Sequence, residues 1–253
     1  MVRLLWDPAL VDRVYAGAPV PGLDAEGRAH LTRVDRRAWG TDPYRRARTL
    51  QALIEEYPCS VAEIGAAGTD AFFGDAAFHG AIAERGSLAD AFGGWLAPRA
   101  GPTVAIERAL AGLRRAPPAQ VPAGRIRRGA VIPLEVPLGT LTRWEHVAGA
   151  LGPDPLARLL AGWRPAPPPA NFPTSEHLLV QLVDGHGTVA GGSDGIHAIL
   201  VKAARPEPRE VLRRVAVRLG ASRADADVIL DDLLADGLLV SAPSHAAPLP
   251  GPR

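Results

Sequence analysis

Leu50, Leu53, Ile54 and Tyr57 recur at helical spacing within YRRARTLQALIEEY and lay one apolar stripe along a predicted helix. Asp42 is its expected cap, Pro43 its first turn and Pro58 its stop. Before it, between Asp7 and Trp39, the pattern predicts two shorter helices. Asp7-Pro8 is a cap followed by proline at the first helical position. Pro19, Pro21 and Gly22 break that helix, and Asp24 caps the next. Further helices are predicted over Thr69–Glu84, Ser87–Leu96 and Thr103–Leu113, with Ser87 and Thr103 as caps. Residues 1–116 therefore read as a helical bundle domain.

The texture then changes twice. APPAQVPAGR is a proline-rich joint, and RIRRGAVIPLEVPLG reads as one or two short strands that Pro133 and Pro137 confine to a sheet edge. Leu141 to Trp163 returns to helix. PAPPPANFP is a stiff, extended spacer, so 117–173 is expected to be a connector. EHLLVQLVDGHGTVAGG predicts a hairpin turning at Asp184-Gly185-His186-Gly187. Helices over Ile196–Ala203, Pro208–Leu219 and Ser222–Asp236 follow, and Gly237 stops the last. Leu238, Leu239 and Val240 then return to the sheet. Hairpin, three helices and a closing strand predict a winged-helix-like domain over 174–242, and 243–253, ending HAAPLPGPR, is expected to be a disordered tail. The expected class is mainly α with an α+β C-terminal part.

Composition narrows the function classes. Apolar residues make up 47% and charged residues 22%, enough to build a core. A net charge of +1 argues against a protein steered to polyanions. Cys59 is the one cysteine, so no disulfide and no thiolate metal cluster can form within the chain. MVRLLWDPALVDRV lacks the apolar core of a signal peptide, and no stretch approaches the roughly 18 apolar residues of a membrane span. A cytoplasmic protein without membrane contact is expected.

Two motifs invite catalysis and neither carries it. Gly191-Gly192-Ser193-Asp194-Gly195 fits G-x-S-x-G, but the parallel strands that motif needs upstream are replaced by helix. Gly185-His186-Gly187-Thr188-Val189-Ala190 fits a dinucleotide fingerprint, yet Gly191 and Gly192 stop the helix that would receive a pyrophosphate. The seven histidines lack the spacing of a helical metal site, and Cys59 reads as a small buried side chain. No catalytic, cofactor-binding or metal-ligating residue is expected.

The terminal domain suggests binding instead. Its last helix, Ser222 to Asp236, holds Arg223 against Asp225, Asp227, Asp231, Asp232 and Asp236, or +1 − 5 = −4. That charge disfavours nucleic acid, although the preceding helix carries Arg209, Arg213, Arg214 and Arg218 and keeps a DNA-binding regulator as the alternative. A peptide added to an open hairpin edge could rest on the last helix. That geometry selects Leu178, Val180, Leu182, Val189, Arg218, Asp225, Val228 and Asp232 as peptide-contacting positions.

Two stretches resemble a known family. YRRARTLQALIEEYPCSVAEIGAAGTDAFFGDAAFHGAIAERGSLADAFGGWL with IERALAGLRR resembles the N-terminal helical domain of the partner proteins of multinuclear non-heme iron oxidative enzymes in bacterial peptide-modification clusters. The landmarks are Tyr44-Arg45, Tyr57-Pro58, Gly65 with Phe72, Ser87-Leu88, Phe92-Gly93 and Glu107; the family's asparagine after the Tyr-Arg pair is absent. IHAILVKAARPEPREVLRRVAVRLGASRADADVILDDLLADGLLV is similar to the helical half of precursor-recognition elements. The resemblance implies a non-catalytic partner that binds a precursor peptide and forms a heterodimer with an iron-dependent oxidase. The iron would belong to that oxidase, and this chain would hold no cofactor.

Overall fold

The structure is a computed structural model that describes Leu4 and residues 6–39, 43–117, 120–167 and 174–242. The chain is mainly helical with a small antiparallel sheet component. It divides into two compact units: Met1–Arg108 with Arg143–Pro168, and Ala109–Thr142 with Pro169–Arg253. This differs from the expected order of bundle, connector and terminal domain. The connector is not separate, because its strands belong to the second unit and its later helices largely to the first.

In the first unit, α1 (Pro8–Tyr15) starts where Asp7 accepts the Leu10 amide at 2.9 Å, and α2 (Ala25–Thr32) where Asp24 accepts Gly27 at 2.7 Å. The Arg28 guanidinium ties them by donating to the carbonyls of Val14 at 2.8 Å and Ala18 at 2.6 Å. Next come α3 (Pro43–Glu56), α4 (Pro58–Ala71), α5 (Ala76–Ala83), α6 (Leu88–Leu96) and α7 (Thr103–Arg115), which passes into the second unit at Ala109. The expected cap Asp42 and the side chains of Tyr44 and Arg45 lie outside the described residues, as do 168–173 of the spacer and the tail at 243–253.

Two expectations need correction here. Pro58 does more than stop α3: it is the first residue of α4, where a missing N–H costs nothing. The single helix expected over Thr69–Glu84 is three elements, namely the end of α4, a 3-10 turn at Phe72–Gly74, and α5. Asp75 makes the break. One carboxylate oxygen caps α5 through Ala77 at 2.8 Å, and the other accepts the Trp95 indole N–H at 3.0 Å. Around that break Phe72, Phe73, Phe78, Phe92 and Trp95 pack with Trp6 in edge, tilted and stacked pairs 4.8 to 6.3 Å apart. Such rings each bury on the order of 150–250 Å², so this cluster adds substantially to the cohesion of the unit. The helix expected over Leu141–Trp163 is α8 (Thr140–Leu151) and α9 (Pro155–Leu160). Gly152 at positive φ separates them, and Asp154 caps the second.

The second unit is built on a three-stranded antiparallel meander: β2 (Val131–Pro137), β3 (Ser175–Val183) and β4 (His186–Gly192), in that spatial order. Pro133 and Pro137 lie on β2, an edge strand, as their missing N–H groups require. The turn between β3 and β4 is tighter than the expected four residues. Val183 pairs with His186, which leaves Asp184 and Gly185, both at positive φ, as a two-residue loop. Helices α10 (Asp194–Lys202), α11 (Arg209–Arg218) and α12 (Arg223–Ala235) follow. Gly237, at φ 70°, ends α12 as expected. The closing strand, β5 (Leu239–Ser241), does not rejoin the hairpin. It pairs with β1 (Ile126–Arg128) in a separate two-stranded ladder.

Both faces of the meander are covered. Val131 and Leu179 join Ile199, Leu200, Leu212, Ala226 and Leu230 in the core under the three helices. On the opposite face Leu178 and Val180 are fully buried. There the Leu110 side chain leaves no space at Gly187, where a Cβ would lie 2.6 Å from it. Among the described residues no helix is long and apolar enough to cross a membrane.

Candidate functional site

An apolar cleft of about 360 Å³ opens in the second unit between the first turns of α10 and the last turns of α12. Ile196 and Ile199 line it from α10, Ile229 and Leu233 from α12, and Leu219 and Ala221 from the turn between α11 and α12. Asp232 and Asp236 stand at its rim one turn apart, both exposed. The helix register explains the arrangement. Ile229, Leu233 and Asp236 follow at steps of four and three, so a single face of α12 runs from apolar to acidic. Beyond the cleft, β4 leads directly into α10, and its outer margin has no strand partner among the described residues.

Charge on α12 is partitioned by side. Arg209 reaches Asp231 at 2.7 Å and Asp227 at 3.3 Å, while Arg213 reaches Asp227 at 2.8 Å. Hydrogen bonds from Arg213 and then Arg209 hold the Asp227 carboxyl below its ordinary range. Two of the four α11 cations that suggested phosphate contact, Arg209 and Arg213, are therefore paired with α12, and Arg214 and Arg218 are exposed. Asp225 belongs to the helix cap, where its amide and carboxylate both bond Ser222 Oγ.

Of the eight positions selected from sequence, Asp232 is the one that lines the cleft. Leu178 and Val180 are a correction: β3 is the central strand, paired on both sides, and these side chains are fully buried on the face away from the three-helix core. Leu182 and Val189 share that face and are partly buried. Arg218 is exposed at the end of α11, and Val228 is 59% exposed on α12. The eight positions leave out Ile196, Ile229, Leu233 and Asp236, although Ile229 and Leu233 read from sequence as the apolar side of the last helix and Asp236 as one of its acids. Three of these sit in the ordinary apolar stripes of their helices, and only the packing of α10 against α12 shows that they surround space.

Ser193 is the N-cap of α10. Its backbone is extended (φ −82°, ψ 157°), and its Oγ accepts the Ile196 amide. Close by, His177 Nδ1 lies 3.0 Å from Asp194, and the His177 and His197 rings stack 4.0 Å apart. Burial, then the charge of His177, lowers the pKa of His197. A strand and a helix far apart in sequence bring these groups together, so no local spacing announces them. Among the described residues no group of three or more histidine, cysteine or acidic side chains is placed to hold a metal ion.

The first unit holds a second polar cluster. Glu107 on α7 is fully buried and accepts the amides of Cys59 at 2.7 Å and Ser60 at 3.0 Å and the Ser60 hydroxyl at 2.5 Å. It thereby caps α4, whose own N-cap residue Tyr57 supplies no side-chain acceptor. Burial pushes the Glu107 carboxyl up to about 7, against the pull of those hydrogen bonds. Burial also pushes the Cys59 thiol far above its usual range, which favours the neutral thiol. No protein-family model and no curated protein sequence matches this chain.

Proposed function

We propose that this chain is a non-catalytic partner protein that binds a precursor peptide and docks on an iron-dependent peptide-modifying oxidase in the bacterial cytoplasm. The observation that carries the reading is the apolar, acid-rimmed cleft of α10 and α12, in a unit whose edge strand β4 has no strand partner on its outer margin among the described residues. In this reading the cleft takes an apolar side chain of the peptide, and the β4 margin offers backbone hydrogen bonds to an extended segment. In this reading the second unit is a winged-helix-like recognition domain and the first a helical bundle that meets the oxidase. The sequence resemblance supports the same assignment, and iron chemistry would lie in the partner.

The DNA-binding alternative is weakened by the pairing of Arg209 and Arg213 with Asp227 and Asp231. The test is binding of the purified chain to the precursor and the oxidase encoded beside its gene. The expected result is a complex with both, and loss of at least about tenfold in peptide affinity for Ile229→Asp with the melting transition retained. An intact chain that binds neither would overturn the reading.

A further inference from the structure

Seven arginines among the described residues are partly buried, and five of them are partnered. Arg28 donates to main-chain carbonyls, Arg46 pairs with Asp70, Arg143 with Glu63, and Arg209 and Arg213 with Asp227. The remaining two, Arg127 and Arg128, have neither an ion pair nor a side-chain hydrogen bond among the described residues. They are neighbours on β1, and both line one cavity of about 290 Å³ in the second unit. Leu113, Val131 and Ile132 give that cavity apolar walls, and Gly112 and Gly129 complete its lining.

We propose that this cavity binds a carboxylate carried on an apolar group, with Arg127 and Arg128 holding the carboxylate. A partly buried cation without a counter-charge is costly, and a bound anion removes that cost. Burial, then repulsion from Arg127, lowers the pKa of Arg128, so both penalties bear on this side chain. The ends of α7 and α10 reach the cavity at Ala116 and Ala204, and their carbonyl ends offset part of the positive charge. Each guanidinium still has five N–H donors in a planar fork, a shape that matches the two oxygens of a carboxylate. The volume lies at the lower limit of ligand pockets, which suits a leucine-sized acid and excludes a dinucleotide. Arg128 is also well anchored, since its amide donates to the Ala203 carbonyl at 2.7 Å.

Such a carboxylate could be a free small acid or the C-terminus of a polypeptide. The full chain, labelled with nitrogen-15, would be titrated with N-acetyl-leucine, with N-acetyl-leucinamide, with inorganic phosphate and with a hexapeptide ending in a free leucine. The expected result is that N-acetyl-leucine shifts the side-chain Nε–Hε resonances of Arg127 and Arg128 and its amide leaves them in place. Arg128→Gln should weaken binding at least about tenfold, and Arg128→Lys less, since it keeps the charge and loses the fork. Tighter binding of the hexapeptide than of N-acetyl-leucine assigns the source to a polypeptide; the reverse assigns it to a small acid. Equal response to acid and amide, no shift at these arginines, or tighter binding of phosphate would overturn the proposal. The wild-type comparison decides the matter even if a variant fails to fold.

Discussion

Glu107 shows how one buried side chain can hold two helices together and also make the fold sensitive to pH. Its carboxyl has an ordinary value of 4.5 and is pushed up to about 7 in the folded chain, so the native state holds the proton more tightly than the unfolded one. The resulting stabilisation is complete below the unfolded value and is lost as pH rises through about 7. Glu107→Gln should therefore lose less stability than the wild type between pH 4.5 and 7, by on the order of 3 kcal/mol, measured by urea unfolding across that range. An identical slope in the two proteins would contradict this. Glu107→Ala should instead destabilise at every pH, because it orphans two buried amides at about 1–3 kcal/mol each.

Two adjacent glycines of α6 separate close packing from mere helix propensity. A Cβ on Gly93 would lie 2.3 Å from the hydroxyl of buried Tyr57 and 2.8 Å from Arg108 Cγ, whereas Gly94 faces nothing within 4 Å. Gly93→Ala should lower the melting temperature by a change of about 1–3 kcal/mol, and Gly94→Ala should raise it by about 0.5–1 kcal/mol. Calorimetry on the pair checks both signs. The same element scale shows what sequence could reveal. Helix starts were legible at Asp7, Asp24 and Ser87 because a cap is a local bond between neighbours. The break at Asp75 was not, since it depends on the Trp95 indole twenty residues away. Likewise β5 was legible as a strand, but its partner β1 was not: register with a distant segment leaves no local trace. The cleft was half legible, with α12 and its acids foreseen and the facing α10 wall hidden in an ordinary apolar stripe.

Across the whole molecule, charge is managed by internal pairing. A net charge of +1 hides an arginine-rich α11, of which Arg209 and Arg213 are paired with α12. Removing that pairing should create an affinity the wild type lacks. The double variant Asp227→Asn, Asp231→Asn frees Arg209 and Arg213 and should bind duplex DNA weakly, with affinity falling steeply as salt rises. Fluorescence anisotropy over a salt series measures it. Strong salt-dependent binding by the wild type would instead favour the regulator reading.

The interleaved path of the chain has a practical corollary. A fragment starting at Ser175 would hold both hairpin strands and all three terminal helices, yet it would lack β1 and β2. That omission bares one flank of β3 and strips β5 of its mate. Unpaired strand flanks recruit other chains. Such a piece should therefore precipitate, and one begun at Ala109 should keep every ladder intact.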